Sequence, residues 1–173
     1  MNIHEYQAKE IFKEYGLPVA PFFVSTKATG IGKAAYELDG GPFVVKCQVH
    51  SGARGKAGGV AVVDTPAQAE AFAAKWLGQR LVTTQSGPHG KPVNRILIEK
   101  ATSIKQELYV SATIDRTNAH LTVIASASGG MSIEELAVTN NSIQELEKRI
   151  SSTEAIAKGK NRAKVFSTTE SMN

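Results

Sequence analysis

The sequence predicts an α+β fold with α/β-type alternation of helices and strands. Three observations support it. Segments with helical spacing and segments of strand-like apolar residues take turns along the first part of the chain. Glycine and proline clusters separate them, and two alternating runs then follow as a hairpin. Ala8, Ile11, Phe12 and Tyr15 fall at i, i+3, i+4 and i+7, which predicts a helix with one apolar face ending at Gly16. The segment LPVAPFFVS reads as extended, because Pro18 and Pro21 forbid a helix interior. Ile31, Ala34, Ala35 and Leu38 repeat the helical spacing, and Asp39-Gly40-Gly41 ends that helix. Phe43 to Val49 and Gly59 to Val63 read as strands on either side of a glycine-rich loop.

Thr65-Pro66-Ala67-Gln68 predicts a helix start. Threonine caps, proline suits the first helical position, and Gln68 can reach back as the capping-box partner. Ala69, Phe72, Ala73 and Trp76 form its buried stripe, and Gly78 stops it. At this spacing Trp76 is a core residue rather than a ligand platform. TTQSGPHGKPVN reads as a turn-rich loop, and Arg95 to Ala101 as a strand. Gln106 to Asp115 and His120 to Ala127 form a hairpin across residues 115–118. SIEELA begins a helix, and Ser142 with Glu145 resembles a capping box ahead of Ile143, Leu146 and Ile150. From Ser151 to Asn173 the large apolar residues are Ile156, Val165, Phe166 and Met172. Lys158, Lys160, Arg162 and Lys164 sit there among small polar residues. Such a composition cannot offset the entropy of ordering, so a frayed, solvated tail is expected.

The bulk numbers narrow the function. The chain has 173 residues, 42% hydrophobic and 21% charged, in the range of soluble globular proteins. Its net charge of +4 suits a phosphate-bearing ligand, yet no block of five Lys or Arg occurs. Aromatics make up 6%, and none interleaves the basic loop, which argues against nucleic acid. The single cysteine, Cys47, cannot form an internal disulfide and points to a reducing compartment. In a strand it faces away from Lys46, so a small buried thiol is expected. MNIHEYQAKE has no apolar signal core, and no apolar run reaches membrane-spanning length.

The strongest chemical signal is GPFVVKCQVHSGARGKAGG, residues 41–59. Gly52, Gly55, Gly58 and Gly59 let backbone amides close on an anion without a Cβ in the way. Lys46, Arg54 and Lys56 supply positive charge, and no acid lies between Asp39 and Asp64. This is the chemistry of a polyphosphate cradle. It is not a Walker loop: His50 stands where that loop needs glycine, and Ala57 where it needs Ser or Thr. Nor is it a dinucleotide fingerprint, since a strand rather than a helix follows. The plainer alternative is a glycine-rich hairpin whose cations face water.

Five segments carry a family resemblance: MNIHEYQAKEIFKEYGLPV, GPFVVKCQVHSGARGKAGGV, WLGQRLVTTQ, ILIEKATSIKQELYVSATIDR and IASASGGMSIEE. In this order they resemble the β subunit of succinyl-CoA synthetase, the ADP-forming succinate–CoA ligase. The resemblance runs from Met1 to about Ala137. It implies an ATP-grasp fold: a partial domain over 1–137, with a lid subdomain at about 21–102 and the start of the larger subdomain after it. Residues 138–173 are expected to form a divergent, partly disordered tail outside the resemblance. The implied reaction joins succinate and CoA at the expense of ATP or GTP, in the citric-acid cycle. It passes through a phosphohistidine on a partner α subunit. The implied location is the cytoplasm, with the mitochondrial matrix as a second choice.

The resemblance assigns Lys46 to the nucleotide phosphates and Ala53, Arg54 and Gly55 to the loop over them. Glu99 and Thr102 fall at the adenine-side hinge, and Glu107 near the ribose. Residue chemistry alone reads Glu99 and Glu107 as surface carboxylates on strand ends. Position 53 departs from the family's usual GGRG loop, and alanine there is strained if a left-handed backbone is required. The family holds Mg²⁺ through a Glu-Ile-Asn-Pro-Leu motif and a later aspartate, and neither occurs here. The chain by itself is therefore expected to bind nucleotide without completing phosphoryl transfer. Other readings are a non-enzymatic remnant that binds nucleotide or an α subunit, and a ligase of the malate or citrate type.

Overall fold

Two-residue alternation builds the central sheet. The computed structural model describes residues 3–116 and 120–126. Strands β1 (Phe22–Ser25), β2 (Phe43–Cys47), β3 (Val60–Val63) and β6 (Ile96–Lys100) pair in the order β1-β6-β2-β3. Every pairing is antiparallel, with Val45 opposite Ala61 in β3 and Ile98 in β6. Phe43, Val45 and Cys47 therefore share one face with Ile96 and Ile98, and all five are buried.

Helices α2 (Ala28–Glu37) and α3 (Pro66–Trp76) cover that face. Ile31, Ala34, Ala35, Ala69 and Ala73 are their buried residues, as the helical spacing predicts, with Phe72 and Trp76 partly buried beside them. The small residues let the two helices pack closely. A Cβ on Gly32 would stand 2.4 Å from Glu70 Oε2. Each large side chain removed from water here, Phe43 or Ile31 for example, contributes about 1.5–3 kcal/mol. Cys47 is buried as expected, and burial pushes its thiol up to about 12.

The cap of α3 is the one its sequence predicts. Thr65 Oγ1 accepts from the Gln68 amide at 3.2 Å, and Gln68 Oε1 accepts from the Thr65 amide at 3.2 Å. Thr65→Ala is expected to lower stability by about 1 kcal/mol, read as the midpoint of urea unfolding with an unchanged slope. A midpoint that does not move would show the cap to be idle.

One expectation needs correction, and one helix packs in a way its periodicity does not specify. Helix α1 (Glu5–Glu14) forms and stops before Gly16, but its apolar face is not buried: Phe12 is 50% exposed and Tyr15 82%. The helix touches the sheet through its polar first turns, as described below. The loop read over 83–94 also holds structure. Short strands β4 (Arg80–Leu81) and β5 (Lys91–Pro92) pair across it, and Arg80 donates to the carbonyls of His89 and Gly90.

The chain divides into two compact units, Met1–Ser103 and Ile104–Asn173. In the second, β7 (Tyr109–Asp115) and β8 (His120–Ser126) form the expected antiparallel hairpin. The helix expected at SIEELA, the capping box at Ser142 and the tail over 138–173 lie outside the described residues.

Candidate functional site

Alternation along β2 sends Lys46 to the sheet face opposite the helices. Val44 pairs with Glu99 and Lys46 with Leu97, so Lys46 and Glu99 are diagonal neighbours on that face. Lys46 Nζ lies 2.6 Å from Glu99 Oε1 and 2.9 Å from Glu5 Oε1. Arg54 completes the cluster from the loop. Its Nη2 donates to Glu5 Oε2 at 2.6 Å and its Nη1 to the Cys47 carbonyl at 2.7 Å. Lys9 pairs with the other oxygen of Glu99 and rests over the Phe22 ring at 5.5 Å. The cations thus meet two carboxylates drawn from opposite ends of the unit.

Burial and charge compete here, and charge wins at Glu5. Desolvation alone would raise its carboxyl, but Lys46 and then Arg54 hold it at about 2. Lys46 behaves as the partner should. Burial would lower it, yet Glu99 and Glu5 together raise it above its ordinary value. Both groups are therefore charged at neutral pH, and the lysine is a fixed positive charge rather than a proton donor.

The glycine loop folds over this cluster. The amides of Ala57 and Gly59 donate to the Arg54 carbonyl, and that of Gly58 to the Gly55 carbonyl. Among the described residues no hydrogen bond uses the amides of Ala53 and Gly55. The neighbouring segment anchors the loop. Gln85 Oε1 accepts from the Gly52 amide at 3.0 Å, and Ser51 and Thr83 hydroxyls meet at 2.6 Å. Close approach explains Gly59, where a Cβ would stand 2.5 Å from Leu81.

Ala53 has φ of 57°, in the left-handed region. The strain foreseen for alanine in place of glycine is therefore present, at about 1 kcal/mol for an L-residue there. Ala53→Gly is expected to raise stability by about 0.5–1 kcal/mol, since relief of strain is partly offset by backbone entropy. Chemical denaturation of the two proteins decides it, and equal or lower stability of the glycine variant would refute the strain.

Of the residues singled out by the sequence, Lys46, Arg54 and Glu99 converge, and Ala53 and Gly55 lie in the loop above them. Glu99 corrects the reading from residue chemistry alone. It is 7% exposed, and its partners are lysines rather than water. Thr102 is exposed, past β6 and just before the division between units. Glu107 is exposed and belongs to the second unit. Sequence reasoning missed Glu5 and Lys9. Their i, i+4 spacing was visible on the polar side of α1, but nothing local says that this side meets the sheet.

Among the described residues no group of three or more His, Cys, Asp or Glu side chains gathers to hold a metal. The acids at the cluster are committed to ammonium and guanidinium partners. That donor set fits an anion, not Mg²⁺. No described helix is long and apolar enough to cross a membrane.

Comparison with known proteins shows the family of the chain. The family described as ATP-grasp domain matches residues 2–166, a stretch that runs past Ala137. The subunit β of succinate–CoA ligase [ADP-forming] from Escherichia coli strain K12 / DH10B is 50% identical over 137 residues. Those from Shigella boydii serotype 18 and Salmonella dublin match to the same degree. The match takes in 79% of this chain and 35% of each relative, so the chain spans about a third of their length. Among solved structures, a dinucleotide-forming acetyl-coenzyme A synthetase of Ca. Korarchaeum cryptofilum superposes with a TM-score of 0.56 at 18% identity. It covers 72% of this chain and 53% of its own. ATP citrate lyase of Methanothrix soehngenii superposes with a TM-score of 0.57 at 21% identity, over 76% of this chain and 33% of its own. At such identities the structural likeness speaks for the fold.

Proposed function

The chain belongs to the ATP-grasp family, and on that premise we propose that Lys46, Arg54 and the loop at Ala53–Gly55 grip the phosphate tail of ATP or GTP. The observation that carries the reading is what Lys46 and Arg54 hold now. Glu5 offers one carboxylate oxygen to each, at 2.9 and 2.6 Å, spanning them as two phosphate oxygens would. Binding is then an exchange. The nucleotide displaces Glu5 from cations already in position, and the amides of Ala53 and Gly55 gain an acceptor.

Each residue has a limited task in this scheme. Lys46 is a point charge on phosphate oxygens, held on a strand so that little entropy is lost on binding. Arg54 brings a two-pronged fork, and its bond to the Cys47 carbonyl sets its angle. Glu99 keeps Lys46 charged and aimed. Thr102 sits at the adenine-side hinge, where backbone rather than side chain meets the base, and Glu107 accepts from ribose hydroxyls. The family's Mg²⁺ would neutralise the polyphosphate, but Glu5 and Glu99, the acids of this cluster, are paired with Lys46, Arg54 and Lys9.

The relatives at 50% identity support a wider reading of the same site. The chain serves as the nucleotide-gripping part of a succinate–CoA ligase β subunit, in the cytoplasm, with an α subunit as partner. A second reading, a module that binds nucleotide without turning it over, draws on the absence of a metal-binding group among the described residues.

Thermal unfolding of the full chain in an ATP series tests the grip. Ligand at about 100 times its Kd should stabilise by about 2.7 kcal/mol. A flat melting temperature up to millimolar ATP would remove the basis of the proposal. Release of inorganic phosphate on mixing with ATP, a ligase α subunit, succinate and CoA separates the two readings.

A further inference from the structure

Beside the cradle lies a pocket of about 150 Å³ that the nucleotide reading does not use. Its wall includes His4, His50, Lys91, Asn94 and Arg95, with the Gln48 amide at the base. Three segments build it: the residue before α1, the residues just after β2, and β5 with the arm that follows it. No acid lines it. Glu5 is adjacent to His4 in the chain, but its carboxylate is turned to Lys46 and Arg54.

Among the described residues the side chains of His50, Lys91 and Asn94 around this pocket make no hydrogen bond to the protein. The His4 and His50 rings stack at 3.9 Å between centroids and 16° between planes. Two imidazoles so arranged repel once charged unless an anion lies between or beside them. The His4 side chain faces the Gln7 backbone amide at the start of α1, and its buried Nδ1 makes no close hydrogen bond among the described residues. The Arg95 guanidinium rests over the Tyr6 ring at 6.0 Å. Neither Arg95 nor Lys91 takes an ion pair among the described residues. Gln48 is held in place: its Oε1 accepts from the Tyr6 amide and its Nε2 donates to the Lys46 carbonyl. It braces the pocket without serving a ligand.

We infer that this pocket is a second anion site, separate from the nucleotide cradle, which takes a small oxyanion such as a phosphoryl or carboxylate group. Arg95 and Lys91 supply the charge, Asn94 an amide donor, and His50 a ring N–H. The volume admits one such group and not a nucleoside. Burial first, then the charges of His50, Arg95 and Arg54, hold the His4 imidazole below its ordinary value.

The test is NMR of the full chain with labelled histidine imidazoles, near neutral pH. Inorganic phosphate, succinate and chloride are added in turn at equal ionic strength. Phosphate or succinate should shift the His4 and His50 signals along a saturating curve, with Kd of about 1–10 mM. Arg95→Gln, an exposed change that leaves the core intact, should weaken this by about five- to ten-fold. Lys46→Met, which keeps the chain length at the cradle, should leave it unchanged. Tighter binding of phosphate assigns the site to a phosphoryl group, and tighter binding of succinate to a carboxylate. The inference falls if chloride acts equally, if no curve saturates, or if Lys46→Met weakens binding as much as Arg95→Gln. The readout does not involve ATP, so its failure is distinct from failure of the nucleotide reading.

Discussion

Lys46→Ala is expected to weaken ATP binding by about 30- to 100-fold, the equivalent of one charge-assisted contact of about 2–3 kcal/mol. The size follows from where the ammonium sits. It is partly buried, with 19% of the side chain exposed, so water does not replace it well. Its loss also leaves Glu99 with Lys9 as its remaining partner and a carboxylate facing the incoming phosphates. Repulsion then adds to the missing attraction. Glu5→Gln should do the opposite. It removes the anion that competes for Lys46 and Arg54, so ATP should bind about three- to ten-fold more tightly. Calorimetric titration of both variants with ATP discriminates sharply. If both weaken binding alike, Glu5 belongs to the site as a ligand contact and the exchange is wrong. If neither changes it, the phosphates bind elsewhere.

This opposite pair was only half legible in the sequence. Lys46 and Arg54 stood out because they flank glycines with no acid between Asp39 and Asp64. Strand alternation then placed Lys46 away from Cys47, and the structure agrees. Glu5 was hidden by distance: it reaches Arg54 across 49 positions of chain. The periodicity of α1 told that a helix forms and which side is apolar. It could not tell that Ile11, Phe12 and Tyr15 stay exposed while Glu5 and Lys9 meet the sheet. A stripe predicts amphipathicity, not the partner. Glu99 failed for a related reason. Its strand has three buried neighbours before it, so it sits in the sheet's interior, where alternation no longer implies water. Strands β4 and β5 are two residues each, too short for any period to register.

The same ion pair should make stability depend on acid. Glu5 is held at about 2 in the folded chain against an ordinary 4.5. A carboxyl that gives up its proton more readily when folded stabilises the folded state wherever it is ionised. The contribution is complete above about pH 4.5 and drains away as pH falls toward 2. The full shift corresponds to about 3 kcal/mol, and partial exposure of the pair reduces this to about 2. Lys46 is the other half of the same interaction, so its contribution is not added again. Its raised value acts at the alkaline end, where stability holds below 10.5 and is lost as pH climbs through the folded value. Urea unfolding across the acid range, for wild type and Glu5→Gln, isolates the effect. Wild type should lose about 2 kcal/mol more than the variant between pH 5 and pH 2. Parallel losses would mean that Glu5 contributes nothing and that other carboxyls carry the acid response. A positive result ties stability to function. The energy that Glu5 lends the empty protein is what a nucleotide must displace, so the variant that binds ATP best should also be the one that survives neutral urea least well.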